Sequence, residues 1–192
     1  YWSVTGSKEK RNYPYEHKNY EDAFDRRSDL RQCGVPPVRD ANTFNYLKWS
    51  QVKEKLLKGS SGPRSPYDGL MLEFTNSQTL GSVGPTMSLF TQMLNPAEKT
   101  LEHRHTSQTV YVGVEGHGCI TVDGERFEWG PKDVIVVPSW AWHTHENSSK
   151  SENAFLHSIS DATLIAKLNL FREQRKDQDG NISDTLWTNK YF

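Results

Sequence analysis

The chain has 192 residues, 23 basic and 24 acidic side chains for a formal net charge of −1, and a hydrophobic fraction of 34%. The balanced charge gives no electrostatic reason for a nucleic acid or an anionic membrane as partner, and no stretch approaches the about 20 apolar residues that cross a bilayer. Two cysteines, Cys33 and Cys119, are too few and too far apart for a disulfide framework or a cysteine zinc site, so a reducing, cytoplasmic location is expected. No basic-plus-apolar leader opens the chain. Tyr1 is not an initiator Met, so the start is expected to be processed, trimmed or cut from a longer chain.

Residues 1–45 alternate acidic and basic side chains, with Trp2, Tyr13, Tyr15, Tyr20 and Phe24 among them. Such an arm cannot build a core alone, and its aromatics are expected to pack on a barrel or a neighbouring subunit. A short helix is expected within 18–32, ended by GVPP at 34–37. A second is predicted over 48–58, where KWSQVKEKLLK places Trp49, Val52, Leu56 and Leu57 on one face. GSSGPRSP at 59–66 breaks it. From about residue 69 the period falls to two: GLMLEFTN, TMSLFTQML, TVYVGVEG, GCITVD, ERFEWG, DVIVVP and NAFLHSIS are short strands between turn residues. Asp123-Gly124, between CITV and ERFEW, is a two-residue hairpin signal. After Asp161 the period is helical again, and ATLIAKLNLFREQRK sets Leu164, Ile165, Leu168 and Phe171 on one side. The expected layout is an arm with short helices over 1–66, an all-β barrel or sandwich over 67–161, and a C-terminal helix and tail over 162–192.

Six of the seven histidines lie between positions 103 and 157. His103 and His105 are two apart, so on a strand they project from one face. His143 and His145 repeat the spacing 40 residues later. Imidazoles from two strands can converge on one transition-metal cation. A single such pair is more often a solvated strand face than a ligand pair; two pairs, each at the edge of an apolar run, favour a metal. His17 and His117 read as solvated, and His157 as a satisfied histidine in the core or at its rim.

LNPAEKTLEHRHTSQTVYVGVEGHGCITVDG resembles the first motif of the cupin superfamily, and GPKDVIVVPSWAWHTHEN the second. HRHT, VDGERFEW and PSWAWHTHEN are similar to the gentisate 1,2-dioxygenase branch, and the resemblance covers residues 40–175. It implies a double-stranded β-helix, the jelly-roll barrel, with iron(II) held by His103, His105 and His143. Zinc, manganese or nickel would serve a non-oxidative relative. The general cupin pattern has a glutamate ligand four or five residues after the second histidine, where this chain has Thr109 and Val110; the gentisate branch also lacks it. The implied activity is ring cleavage of a hydroxylated aromatic acid or related phenol by dioxygen, inside a homo-oligomer or one half of a two-barrel chain. The alternatives are a metal-dependent lyase, isomerase or hydrolase, and a cupin that only binds a ligand.

The resemblance also assigns supporting roles. Gln92 matches a substrate-contacting glutamine. His145 matches a histidine that faces substrate and relays a proton, and the ordinary imidazole pKa of about 6.5 would place that near neutrality. Tyr111 stands where the family pairs an arginine with the substrate carboxylate, and it offers one hydroxyl in place of a charged fork. Either another cation, such as Arg126 or Arg104, reaches in, or the substrate is not gentisate. Arg104, between two ligand positions, should point the other way on a regular strand. Trp140 and Trp142 read first as wall packing and second as substrate stacking. Ala97 and Lys132 occupy turn positions where the family's motifs often have glycine.

Overall fold

Alternation of buried and half-buried side chains marks two of the inner strands of this protein. In the computed structural model, residues 46–75, 82–183 and 185 are described. The arm over 1–45, with its expected helix, His17 and Cys33, lies outside them, as do Leu186, Trp187, Tyr191 and Phe192. Helix α1 is Trp49–Lys58, and the strands are β1 Leu70–Glu73, β2 Ser88–Leu94, β3 His103–His105, β4 Thr109–Glu115, β5 Gly118–Val122, β6 Glu125–Trp129, β7 Val134–Val137, β8 His143–Asn147, β9 Ala154–Ser160 and β10 Glu173–Arg175. Helix α2, Ala162–Lys167, separates the last two.

The strands form two five-stranded antiparallel sheets, ordered β1-β2-β9-β4-β7 and β10-β3-β8-β5-β6. Along β4, Thr109, Tyr111 and Gly113 are buried; along β8, His143, His145 and Asn147 are. A period of two therefore turns polar as well as apolar residues inward. Tyr111, Ile120, Trp129, Val137, Ala141, Ala154 and Leu156 form one core cluster. A second lies under α1, where Val52 and Leu56 meet Leu70, Met93 and Phe155. Leu57, expected on that face, is exposed, because it lies about 100° round the helix from Leu56. The Lys53 ammonium pairs with Glu115, tying the helix to the end of β4.

The Asp123-Gly124 hairpin forms as expected. Both residues have positive φ, 47° and 88°, the backbone of a turn whose twist matches its strands. Asp123 also fixes the approach to β8: its carboxylate accepts the Trp142 N–H at 2.9 Å, and its own N–H donates to the Trp142 carbonyl at 2.8 Å.

The C-terminal segment departs from the expected helix. α2 is six residues long, and its buried side is Ala162, Thr163 and Ala166. Leu168, expected inside, is 57% exposed. Asn169 takes φ 57°, which halts the helix, since asparagine tolerates the left-handed region. The chain then reverses and EQR pairs with HRH, Glu173 opposite His105 and Arg175 opposite His103. Pairing with an otherwise open strand edge outweighs a helical pattern that this short stretch reads equally well.

Ala97 and Lys132, at glycine positions of the resembled motifs, have φ 56° and 77°, and both are exposed. A side chain in the left-handed region costs about 1–2 kcal/mol, while glycine gives the unfolded chain about 0.4–1 kcal/mol of extra freedom. Ala97→Gly and Lys132→Gly should each leave stability unchanged or raise it by up to about 1 kcal/mol in urea unfolding. A loss above about 1 kcal/mol in either would contradict this strain assignment.

Candidate metal centre

β3 and β8 pair at one register point, His103 opposite His143. That pairing brings the two rings to 4.2 Å between centroids. His105, two residues along the same face, stands 5.0 Å from His143 and 5.6 Å from His103. One nitrogen from each of the three lies within 4.8 Å of the others, a group able to hold a metal ion.

The orientation of each ring is set by its other nitrogen. His143 Nδ1 is 3.0 Å from the Ala141 carbonyl, and His105 Nδ1 is 2.9 Å from the Ser107 carbonyl and 2.9 Å from its hydroxyl. With Nδ1–H donating to those carbonyls, Nε2 carries the lone pair, as ligation requires. The buried Nε2 of His143 has no hydrogen-bond partner. Orphaned buried nitrogens are costly, and a cation would satisfy this one, so the donor set fits a metal. Among the described residues, Gln92 Oε1, His103 Nδ1 and both nitrogens of His145 are orphaned in the same region.

Charge is kept off His103, His143 and His145. Burial, reinforced by the neighbouring imidazoles, holds His103 and His143 well below the ordinary histidine value, and Arg175 adds to the effect on His103. Burial pushes His145 down to about 4, against the opposing pull of the Asp68 carboxylate. His145 is therefore held in its neutral form near neutrality. Burial, then the Asp68 charge, pushes the Tyr111 phenol up, so it remains a protonated donor.

A cavity of about 390 Å³ opens over the cluster; His103, His105, Tyr111, Asp68, Phe171 and Arg175 are among its walls. Tyr111 is edge-on to His145, 4.7 Å between ring centres. Gln92 is buried, and its amide donates to the Asp68 carbonyl at 2.8 Å. It pins a loop and does not line the cavity.

Neither suggested arginine reaches this space. Arg104 points to the opposite face, its guanidinium carbon 4.5 Å from the Trp140 and 4.5 Å from the Trp142 ring, with two N–H groups on Gln174. The two tryptophans thus pack on the outside of the ligand strands. Arg126 is exposed and pairs with Glu146 at 3.2 Å. The guanidinium among the cavity walls belongs to Arg175. It forks onto Glu173 at 2.8 and 3.1 Å and lies 4.9 Å from the Tyr67 ring. Sequence reading missed Arg175 because its stretch was read as helix, and missed Asp68 because a turn carries no periodic signal. His117 is exposed, and His157 bonds Thr91 at 2.8 Å under α1. Cys119 is buried. No helix of the described residues is long and apolar enough to cross a membrane.

Residues 90–159, from β2 to β9, match the cupin domain family. The chain is 43% identical over 146 residues to 5-aminosalicylate 1,2-dioxygenase of Comamonas sp., covering 75% of this chain and 38% of that protein. It is 37% identical over 148 residues to gentisate 1,2 dioxygenase 1 of Aquipseudomonas alcaligenes, covering 77% and 40%. It thus spans about two fifths of the length of these curated relatives. Salicylate 1,2-dioxygenase from Pseudoaminobacter salicylatoxidans, solved with gentisate, superposes with a TM-score of 0.61 at 22% identity, over 77% of this chain and 42% of that one. At that identity the likeness concerns the fold.

Histidines held neutral when folded but titrating near 6.5 when unfolded make the metal-free protein acid-sensitive. Protons bind the unfolded chain first, so their contribution is complete above about pH 6.5 and declines as pH falls toward 4; His145 alone contributes on the order of 3 kcal/mol. Thermal unfolding of the metal-free protein should show a flat midpoint above about pH 7 and a fall beginning near 6.5. A midpoint unchanged down to about pH 5, before carboxylates titrate, would contradict it.

Proposed function

We propose, on the premise that residues 90–159 are a cupin domain, that this chain carries an iron(II) site for ring cleavage of a hydroxylated aromatic acid or related phenol by dioxygen. The observation that carries the reading is the convergence of His103, His105 and His143 under an open cavity. When bound, a ferrous ion held by three neutral imidazoles would keep its full charge and open positions for chelation by a phenol with an adjacent carboxylate. The 1,2-dioxygenases of 5-aminosalicylate and gentisate among the relatives support that substrate class. The ring itself supplies the electrons for inserting both oxygen atoms, so no added reductant is needed.

The remaining residues would act on substrate by position. The Ala141 and Ser107 carbonyls would hold two ligand rings in the tautomer that presents Nε2. Tyr111 would give the substrate one neutral donor where the resembled family has a guanidinium. His145 would act as a neutral hydrogen-bonding ring beside it. Gln92 would act through Asp68 and not by contact. Phe171 and Tyr67 would narrow the water path to the ligands. We place the chain in the cytoplasm, with a second barrel supplied by a longer polypeptide or a second copy.

The test is oxygen uptake by protein reconstituted anaerobically with iron(II) and then offered gentisate, salicylate, 5-aminosalicylate or simpler phenols. Stoichiometric uptake with loss of aromatic absorbance is expected for at least one of them. His103→Ala, His105→Ala and His143→Ala should each reduce it to background. Absence of uptake despite a tightly bound metal would direct attention to a non-oxidative or ligand-binding cupin, and turnover surviving all three substitutions would remove the metal reading.

A further inference from the structure

The loop before β1 is built around one carboxylate. Ser65 and Gly69 exchange two backbone hydrogen bonds of 2.8 Å, and Gly69 takes φ 67° to close the turn. Inside it, the Ser65 hydroxyl accepts the N–H groups of Tyr67 and Asp68, both at 3.1 Å, and donates to Asp68 Oδ2 at 2.9 Å. The loop is fastened to the barrel at three further points. Gln92 donates to the Asp68 carbonyl, Leu101 N–H donates to the Pro66 carbonyl at 2.8 Å, and Arg64 bridges the Met93 carbonyl and Glu98.

What they position is Asp68 Oδ1, which faces His103 Nε2 at 3.6 Å. That is too long for a hydrogen bond, and among the described residues no hydrogen bond to Oδ1 is formed. The other carboxylates on the cavity wall are engaged, Glu173 by Arg175 and Glu73 by the Ser82 hydroxyl. Asp68 is not within the three-histidine group itself. Its field nonetheless reaches across the interior to His145 and Tyr111. The cavity therefore holds an oriented anion beside one corner of the histidine triangle.

We infer that Asp68 is the anionic member of this metal site: a positioning carboxylate, delivered by the loop before β1, that raises the pocket's affinity for a divalent cation and lowers the net charge of the loaded site from two to one. The inference rests on reading the three histidines as a metal site. It puts back, from a different part of the chain, the negative charge that Thr109 and Val110 do not supply. A carboxylate hydrogen-bonded to a ligand imidazole changes metal affinity by about 10–100-fold; Asp68, facing His103 without that bond, acts through its charge on the cation, and an effect on that scale is expected.

The test measures metal affinity without substrate, so it is independent of turnover. Zinc(II), and iron(II) under anaerobic conditions, are titrated at pH 7.5 against a chromophoric chelator. Asp68→Asn should bind about 10–100-fold more weakly than the starting protein. Ser65→Ala, which keeps the carboxylate but releases its orientation, should weaken binding by a smaller factor. Asp68→Glu should recover part of the loss and so guards against a folding defect in the amide variant. Glu146→Gln removes a carboxylate that pairs with Lys99 and Arg126, and it should stay within about 2-fold. Cobalt(II) spectra of the starting protein and Asp68→Asn should differ. Equal affinity in Asp68→Asn overturns the inference and leaves the histidine site standing. Equal losses in Asp68→Asn and Glu146→Gln overturn it as a general charge effect. No metal binding by the starting protein overturns both.

Discussion

The opposition of His103 to His143 is the constraint on which the site depends. β3 is three residues long and meets β8 at one register point. A slip of one residue would turn Arg104 inward and send both of its histidines to the outer face. Several contacts hold the register. β10 pairs all three of its residues with β3. The Trp140 N–H donates to the His105 carbonyl at 2.8 Å, and Thr100 and His145 exchange bonds of 2.9 Å each. A ligand triangle made from such short strands is only as precise as these clamps.

Much of this was legible in the residues because alternation is local. The two His-x-His pairs, the strand runs around them and Asp123-Gly124 each state their geometry within a few positions. Alternation indicates the face a side chain takes, but not its depth or its neighbours. His145 shares a face with His143, as its spacing requires; its neutrality follows from complete burial among residues far away in sequence. Gln92 was legible as an inward polar side chain but not as a bolt on the loop that carries Asp68. The segment after Asp161 failed for another reason. FREQR satisfies a helical period, and only the open edge of β3, some 70 residues earlier, makes it a strand.

The interior is a compromise between packing and chemistry. Ile120, Leu156 and Val137 fill one part of it, while a few residues away imidazoles, an amide and a phenol are buried with several polar atoms unpaired. Such groups lower stability unless something else binds them. The fold tolerates them because two sheets and two apolar clusters supply the rest of the core, and because burial suppresses proton uptake by His103, His143 and His145, which would make the rings repel one another. Stability and readiness for a cation are therefore set by one variable, the dryness of the cluster.

The stack of Arg104 between two indoles has an optical consequence. Trp140 and Trp142 flank the ligand strands from behind, and the residue they grip sits between His103 and His105 in the chain. Indole emission is sensitive to the distance and direction of a nearby cation. A shift in the spacing of the two histidines alters the backbone that carries Arg104, and with it the environment of both rings. The outer wall of this protein thus holds a built-in fluorophore pair placed to report the state of the inner one.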